Sequence, residues 1–235
     1  MKIGLASYEF INKDIEFNIS QIEKASKAAQ GSVDLLCFGE SFLQGFDALT
    51  WKYEEDRHVA VSLESDIIRR ICEISKHCKI DLMFGYIEKM GEAIYSSCAV
   101  IGEGELIHNY RRISQGWKER SITDGHYREG TDTDGFWYRG QQVQVALCGD
   151  LWDFPERFQG GQLLVWPVYV DFSPEEWSRY EAEYAEQAYL ASDRTVMVNS
   201  ISSRPRSYGG AFYFQGGKTE KKSAYGTEEI MVLEL

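Results

Sequence analysis

Apolar positions along the chain follow two periods, and the switches between them mark out the elements. Lys2 to Phe10 alternates and predicts a strand. Asp14 to Gln30 repeats at helical spacing and stops at Gly31. Val33 to Phe38 is a short apolar run ending at Gly39 and Glu40, which predicts a buried strand. Gln44 to Arg57 is mixed and predicts loop with some helix, its Tyr53 to Arg57 stretch an acidic solvated face. Ile67, Ile68, Ile71, Cys72 and Ile74 place a helix over Leu63 to Cys78. Leu82 to Glu88 and Ile94 to Ile101 read as a strand pair. After the turn at Gly102 to Glu105, Leu106 to Arg112 continues as a third strand.

Ser114 to Gly135 is long, polar and glycine-bearing, the kind of segment that carries function. Phe136 to Tyr138 and Gln141 to Cys148 predict a second hairpin, and Leu163 to Val170 another strand. Ser173, Pro174, Glu175 and Glu176 open a helix, with proline near its first position and acids in its first turn. Its inner stripe would be Trp177, Tyr180, Tyr184 and Ala188. Thr195 to Ile201, Ala211 to Phe214 and Glu229 to Leu235 complete the strands. This succession predicts an α/β protein with much antiparallel content. With only 4 prolines and no linker, residues 1–235 are expected to form one domain.

Charge narrows the partners. Against 37 acidic residues stand 25 Lys and Arg, a net charge of −12, which repels phosphate backbones and argues against nucleic-acid binding. No stretch of ~20 apolar residues is present to span a bilayer. The first residues carry acid and lack the apolar run of an export signal, so the cytoplasm is the expected compartment. The 5 cysteines, Cys37, Cys72, Cys78, Cys98 and Cys148, show no Cys-x-x-Cys spacing, so neither a disulfide framework nor a metal site is expected. The four histidines, His58, His77, His108 and His126, are scattered.

Candidate chemistry sits where strands end, because sites in open α/β sheets gather there. Glu40 follows one strand end. Cys148 ends another and precedes Gly149, Asp150, Leu151, Trp152 and Asp153. Backbone amides at such a turn favour a thiolate, Gly149 would leave room for a substrate, and a carboxylate in reach would take the thiol proton. Against this stands the commoner fate of a free cysteine as a small buried hydrophobe. Trp152 is a candidate pocket wall or a core aromatic. Arg204 and Arg206 are candidate carboxylate binders or solvated loop charges.

These segments resemble the nitrilase superfamily of carbon–nitrogen hydrolases. The resemblance rests on Lys2 to Ala6, Leu36 to Phe46 around Glu40, Phe84 to Glu88, Tyr110-Arg111-Arg112, Ala146 to Trp152 around Cys148, and Gln162 to Pro167, all in the family's order. It implies a four-layer α-β-β-α sandwich, a homodimer, no cofactor, and a Glu, Lys, Cys triad acting on a small amide. In this sequence Glu40 would be the base and Cys148 the nucleophile. Arg112 falls where the family has lysine. It keeps the charge but cannot release a proton near neutral pH. Lys118 would then be a candidate to reach into the site, and Glu119 the candidate second glutamate that orients it. Two other readings stay open: a catalytically silent member that binds a metabolite or partner, and a glutaminase-like subunit that donates ammonia.

Overall fold

Alternation along the strands divides the apolar side chains between two faces, and each face finds a different partner. In the computed structural model, which describes residues 1–235, the strands form two six-stranded sheets. The first holds β1 (Lys2–Ser7), β2 (Leu35–Cys37), β3 (Asp81–Met90), β4 (Ala93–Gly102), β5 (Glu105–Arg111) and β12 (Glu229–Glu234), in the order β12-β1-β2-β3-β4-β5. The second holds β6 (Phe136–Tyr138), β7 (Gln141–Val145), β8 (Leu163–Val168), β9 (Arg194–Ser203), β10 (Arg206–Gln215) and β11 (Lys218–Lys222), in the order β11-β10-β9-β8-β7-β6. β1, β2 and β3 run parallel, as do β7, β8 and β9, and the flanking pairs are antiparallel.

Three capped helices cover the outer faces. α1 (Ile15–Ala29) starts at Asp14, whose side chain accepts from the Phe17 N–H at 3.0 Å. α3 (Asp66–Cys78) starts at Ser65, which accepts from Ile68 N–H at 3.3 Å. Their residues Ile19, Ile22, Ile68 and Ile71 pack on Leu36, Leu82 and Phe84 of the first sheet. α5 (Pro174–Ala191) begins with a reciprocal capping box between Ser173 and Glu176. It lays Trp177, Ala185 and Ala188 on the second sheet. The opposite faces, with Ile3, Leu5, Cys37, Met83, Cys98 and Val100 from one sheet and Val145, Val165 and Val198 from the other, close the central layer. The result is the expected α-β-β-α sandwich.

The structure departs from the pattern in four places. Tyr180 is 42% exposed and leans on Phe172, so the inner stripe of α5 runs through Trp177, Tyr184, Ala185, Ala188 and Ala191 instead. Asp56, at the end of the short helix α2 (Tyr53–Asp56), is not a solvated acid. It is buried and accepts from Thr50, Trp51 and Tyr127. The strand expected to reach Cys148 ends at Val145, three residues being given over to the turn. The lysine-rich strand β11 escapes hydrophobic patterning because it is an exposed edge, where charged side chains block further pairing. No helix is long and apolar enough to cross a membrane.

Candidate active site

Glu40 arrives on the extension of β2. Two glycines let its backbone pass between the sheet ends. A Cβ on Gly39 would stand 2.3 Å from Ser200 Oγ and 3.0 Å from the Val168 carbonyl oxygen. One on Gly85 would stand 2.5 Å from Ser41 N and 2.6 Å from the Gly39 oxygen. With no side chains there, the Glu40 N–H donates to the Val168 carbonyl of β8 at 3.2 Å. That bond ties the first sheet to the second beside the carboxylate.

Cys148 arrives from β7. Its N–H donates to the Pro167 carbonyl at 3.0 Å, and its own carbonyl accepts from the indole N–H of buried Trp166 at 2.9 Å. Its φ is +41°, a left-handed conformation that costs a side-chain-bearing residue on the order of 1–3 kcal/mol. The bonds to Pro167 and Trp166 hold it there. The sharp turn leaves Cys148 half-buried, with Sγ 3.9 Å from the Tyr169 carbonyl oxygen. Cys37 and Cys98, by contrast, are fully buried in strands.

Arg112 follows β5 and is 3% exposed. Its Nη1 donates to Glu40 Oε1 at 2.8 Å, and its Nε donates to Ser114 Oγ at 2.7 Å. Ser96 on β4 also donates to Glu40 Oε1, at 3.3 Å. Glu40 Oε2 is buried without a hydrogen-bond partner. Gly149, expected to leave room for substrate, does not: the Arg112 guanidinium occupies that space, with Nη2 2.4 Å from where a Cβ would be.

The electrostatics follow from this crowding. Burial, then the facing Glu40 charge, pushes the Cys148 thiol up to about 12, with Arg112 pulling the other way. The thiol therefore keeps its proton near neutral pH until something takes it. Burial would weaken the Arg112 charge, but Glu40, Cys148 and Asp150 more than offset it, and the guanidinium stays cationic.

Asp150, the first residue of helix α4 (Asp150–Asp153), binds the pieces together. It is fully buried. Oδ1 accepts from the N–H groups of Ile113 and Ser114 at 3.0 and 2.8 Å. Oδ2 accepts from Leu147 N–H at 2.9 Å and Tyr110 O–H at 2.6 Å. The segments carrying Arg112 and Cys148 thus share one carboxylate. In the sequence Asp150 stands out only as part of the cysteine motif and Ser114 only as the start of a polar segment, while Ser96 gives no signal. An acid directly after Cys-Gly was the signal available.

Four other candidates make contacts outside the Glu40–Arg112 pair. Glu119 is exposed, and its carboxylate accepts from Ser121 N–H and O–H at 3.3 and 2.6 Å, capping its own turn. Those hydrogen bonds hold its pKa below the ordinary carboxylate value. The Lys118 ammonium is committed to the Tyr127 carbonyl and to Glu129, both at 2.7 Å. Trp152 is 37% exposed and packs on Tyr184 and Trp166, with ring centroids 5.0 and 6.4 Å away. Arg206 lies over the Tyr208 ring, 4.6 Å from its centroid. A cavity of about 310 Å³ lined by Tyr95, Asn109, Arg111 and Glu129 belongs to the Arg111 side of β5, since adjacent strand residues point to opposite faces. It includes none of Glu40, Arg112 and Cys148.

The two-sheet sandwich thus brings a thiol, a carboxylate and a cation together where its strands end. Residues 2–157 match the carbon-nitrogen hydrolase family model, and the chain belongs to that family. Among curated proteins it is similar to an arylacetone-specific nitrilase of Alcaligenes faecalis, 26% identical over 130 residues, covering 50% of this chain and 36% of that one. It is also similar to an (R)-stereoselective amidase of a Pseudomonas species, 24% identical over 156 residues, covering 66% of this chain and 54% of that one. The matched segments thus span about a third to a half of those relatives. The same fold, at 17% identity, occurs in an amidase from Nesterenkonia sp. AN1 whose active-site cysteine has added to acrylamide, with a TM-score of 0.79 over 100% of this chain and 93% of that one.

Proposed function

We propose that the chain hydrolyses the carbon–nitrogen bond of a small, non-peptide amide through Cys148. The observation that carries this reading is the convergence of Glu40, Arg112 and Cys148. They are far apart in sequence and set by separate strand ends, with an ion pair of 2.8 Å between two buried side chains beside a half-buried thiol. Glu40 takes the thiol proton as Sγ attacks the carbonyl carbon. Arg112 stabilises the negative charge that develops, an effect typically worth ~3–4 kcal/mol per well-placed donor. Because a guanidinium does not give up its proton near neutral pH, the departing nitrogen receives its proton from Glu40. The amine leaves, the thioester remains, and water activated by Glu40 cleaves it to the acid and the free thiol. No step calls for a cofactor. Glu119, Lys118 and Trp152 have no part in this scheme. The reading takes residues 1–235 as one catalytic unit, working as a homodimer in the cytoplasm.

Ammonia release from a panel of short aliphatic amides, and from glutamine, tests it. We expect release by the native chain and none by Cys148→Ala. Release that survives Cys148→Ala would overturn the mechanism. The arginine at position 112 favours a second reading, a binding protein that has lost turnover. A native chain inert on every amide, with activity not gained by Arg112→Lys, would support it. Release from glutamine alone, dependent on a second protein, would support the ammonia-donating reading.

A further inference from the structure

Gly149 and Arg112 meet more closely than any side chain at position 149 would permit. A Cβ there would lie 2.4 Å from Arg112 Nη2 and 3.5 Å from its Cζ. The guanidinium has little room to retreat. It is held at Nη1 by Glu40 and at Nε by Ser114. On another side lies Gly116, where a Cβ would be 3.3 Å from the same Nη2. Nη2 itself donates to no protein acceptor, so its place is set by shape and by the two bonds at the other nitrogens. Backbone conformation does not demand glycine at position 149. Its φ of −64° and ψ of −10° lie in the right-handed helical region, which alanine adopts freely. The space is what the missing side chain supplies.

We propose that Gly149 is a positioning residue, matched to Arg112: the bare Cα beside the thiol is the seat of the guanidinium, and it allows arginine rather than a slimmer cation to serve this site. This deepens the hydrolase reading and rests on it for the purpose of the site, but not for the contact itself. A side chain at position 149 pushes the fork off its seat and pulls Nη1 from Glu40. A lysine at position 112 has no second nitrogen to collide, so it tolerates alanine at position 149.

Alkylation of Cys148 by iodoacetamide, followed on the Cys148 peptide by mass spectrometry from pH 7 to 10, tests the pair without needing a substrate. Displacing the cation removes a charge that favours the thiolate. We therefore expect Gly149→Ala to move the alkylation profile up by about one pH unit, a roughly tenfold slower rate at fixed pH. In an Arg112→Lys background, adding Gly149→Ala should change the rate by less than about twofold, the limit for independent sites. A structural role for glycine in the turn would slow both backgrounds equally and overturn the proposal, as would a Gly149→Ala profile like the native one. Should Gly149→Ala fail to fold, the double variant decides. Folding regained with Arg112→Lys supports the pairing, and equal unfolding overturns it. Loss of ammonia release on Cys148→Ala is read separately, so the hydrolase reading and the pairing can fail independently.

Discussion

Glu40 and Cys148 hang from consecutive carbonyls of one strand: the Cys148 N–H bonds Pro167 at 3.0 Å and the Glu40 N–H bonds Val168 at 3.2 Å. The two groups come from different sheets, yet both backbones are tied to the end of β8, each through one of two successive residues. The proposed base and nucleophile are thereby both anchored by backbone bonds to one strand. Nothing about either residue's own neighbours in sequence implies this.

The first prediction concerns the base. Glu40→Gln keeps the shape and the buried contacts but cannot take the thiol proton. Amide turnover should fall by about 10²–10⁴, the usual contribution of a positioned base. Steady-state ammonia release measures it, with circular dichroism to show that the fold is kept.

Removing the cation should damage the fold as well as the chemistry. Arg112→Met leaves the Glu40 carboxylate buried without its partner, and loss of one member of a buried ion pair costs about 3–5 kcal/mol. Urea unfolding should show a loss of that size. Arg112→Lys, which retains the charge, should lose less.

The thiol predicts an alkaline signature. Since burial holds the Cys148 thiol up to about 12, its alkylation should keep climbing past pH 9 instead of levelling near neutral pH. The folded pKa is raised, so the protonated thiol stabilises the fold fully below its unfolded value, and that stabilisation is lost as pH rises from about 9 towards 12. An alkylation plateau near neutral pH would contradict this placement of the thiol.

Asp150 should be among the costliest single positions. Asp150→Ala strands three buried backbone N–H groups and the Tyr110 hydroxyl, each worth about 1–3 kcal/mol when left unpaired. We expect a loss above about 3 kcal/mol in urea unfolding, and Cys148 alkylation altered in step because the turn is released.

Glu119→Ala, by contrast, should leave turnover unchanged and shift stability by no more than about 0.5 kcal/mol, because the carboxylate is exposed and serves only its own loop. A large fall in turnover on this change would mean that the loop closes over the site.

The elements were legible because each is a local pattern. Alternation gave the strands, Asp14 and Ser173 marked two helix starts, and Glu40 and Cys148 stood out as reactive side chains at strand ends. The contacts of Lys118 and Glu119 were not legible, because nearness in sequence to Arg112 says nothing about which way a loop side chain turns. Glu129, Tyr127 and Ser121 decide that.

Sequence by itself determined the periodicities, the family resemblance and the candidate reacting groups, since those depend on residue type and short spacing. Only the tertiary structure decided that Arg112 reaches Glu40, that Asp150 joins two chain segments, that Asp56 is buried, and that Gly149 is a seat and not an opening. The reason is that burial and contact depend on what packs against a residue from elsewhere in the chain. Here those neighbours come from the other sheet and from the ends of strands that share no sequence neighbourhood.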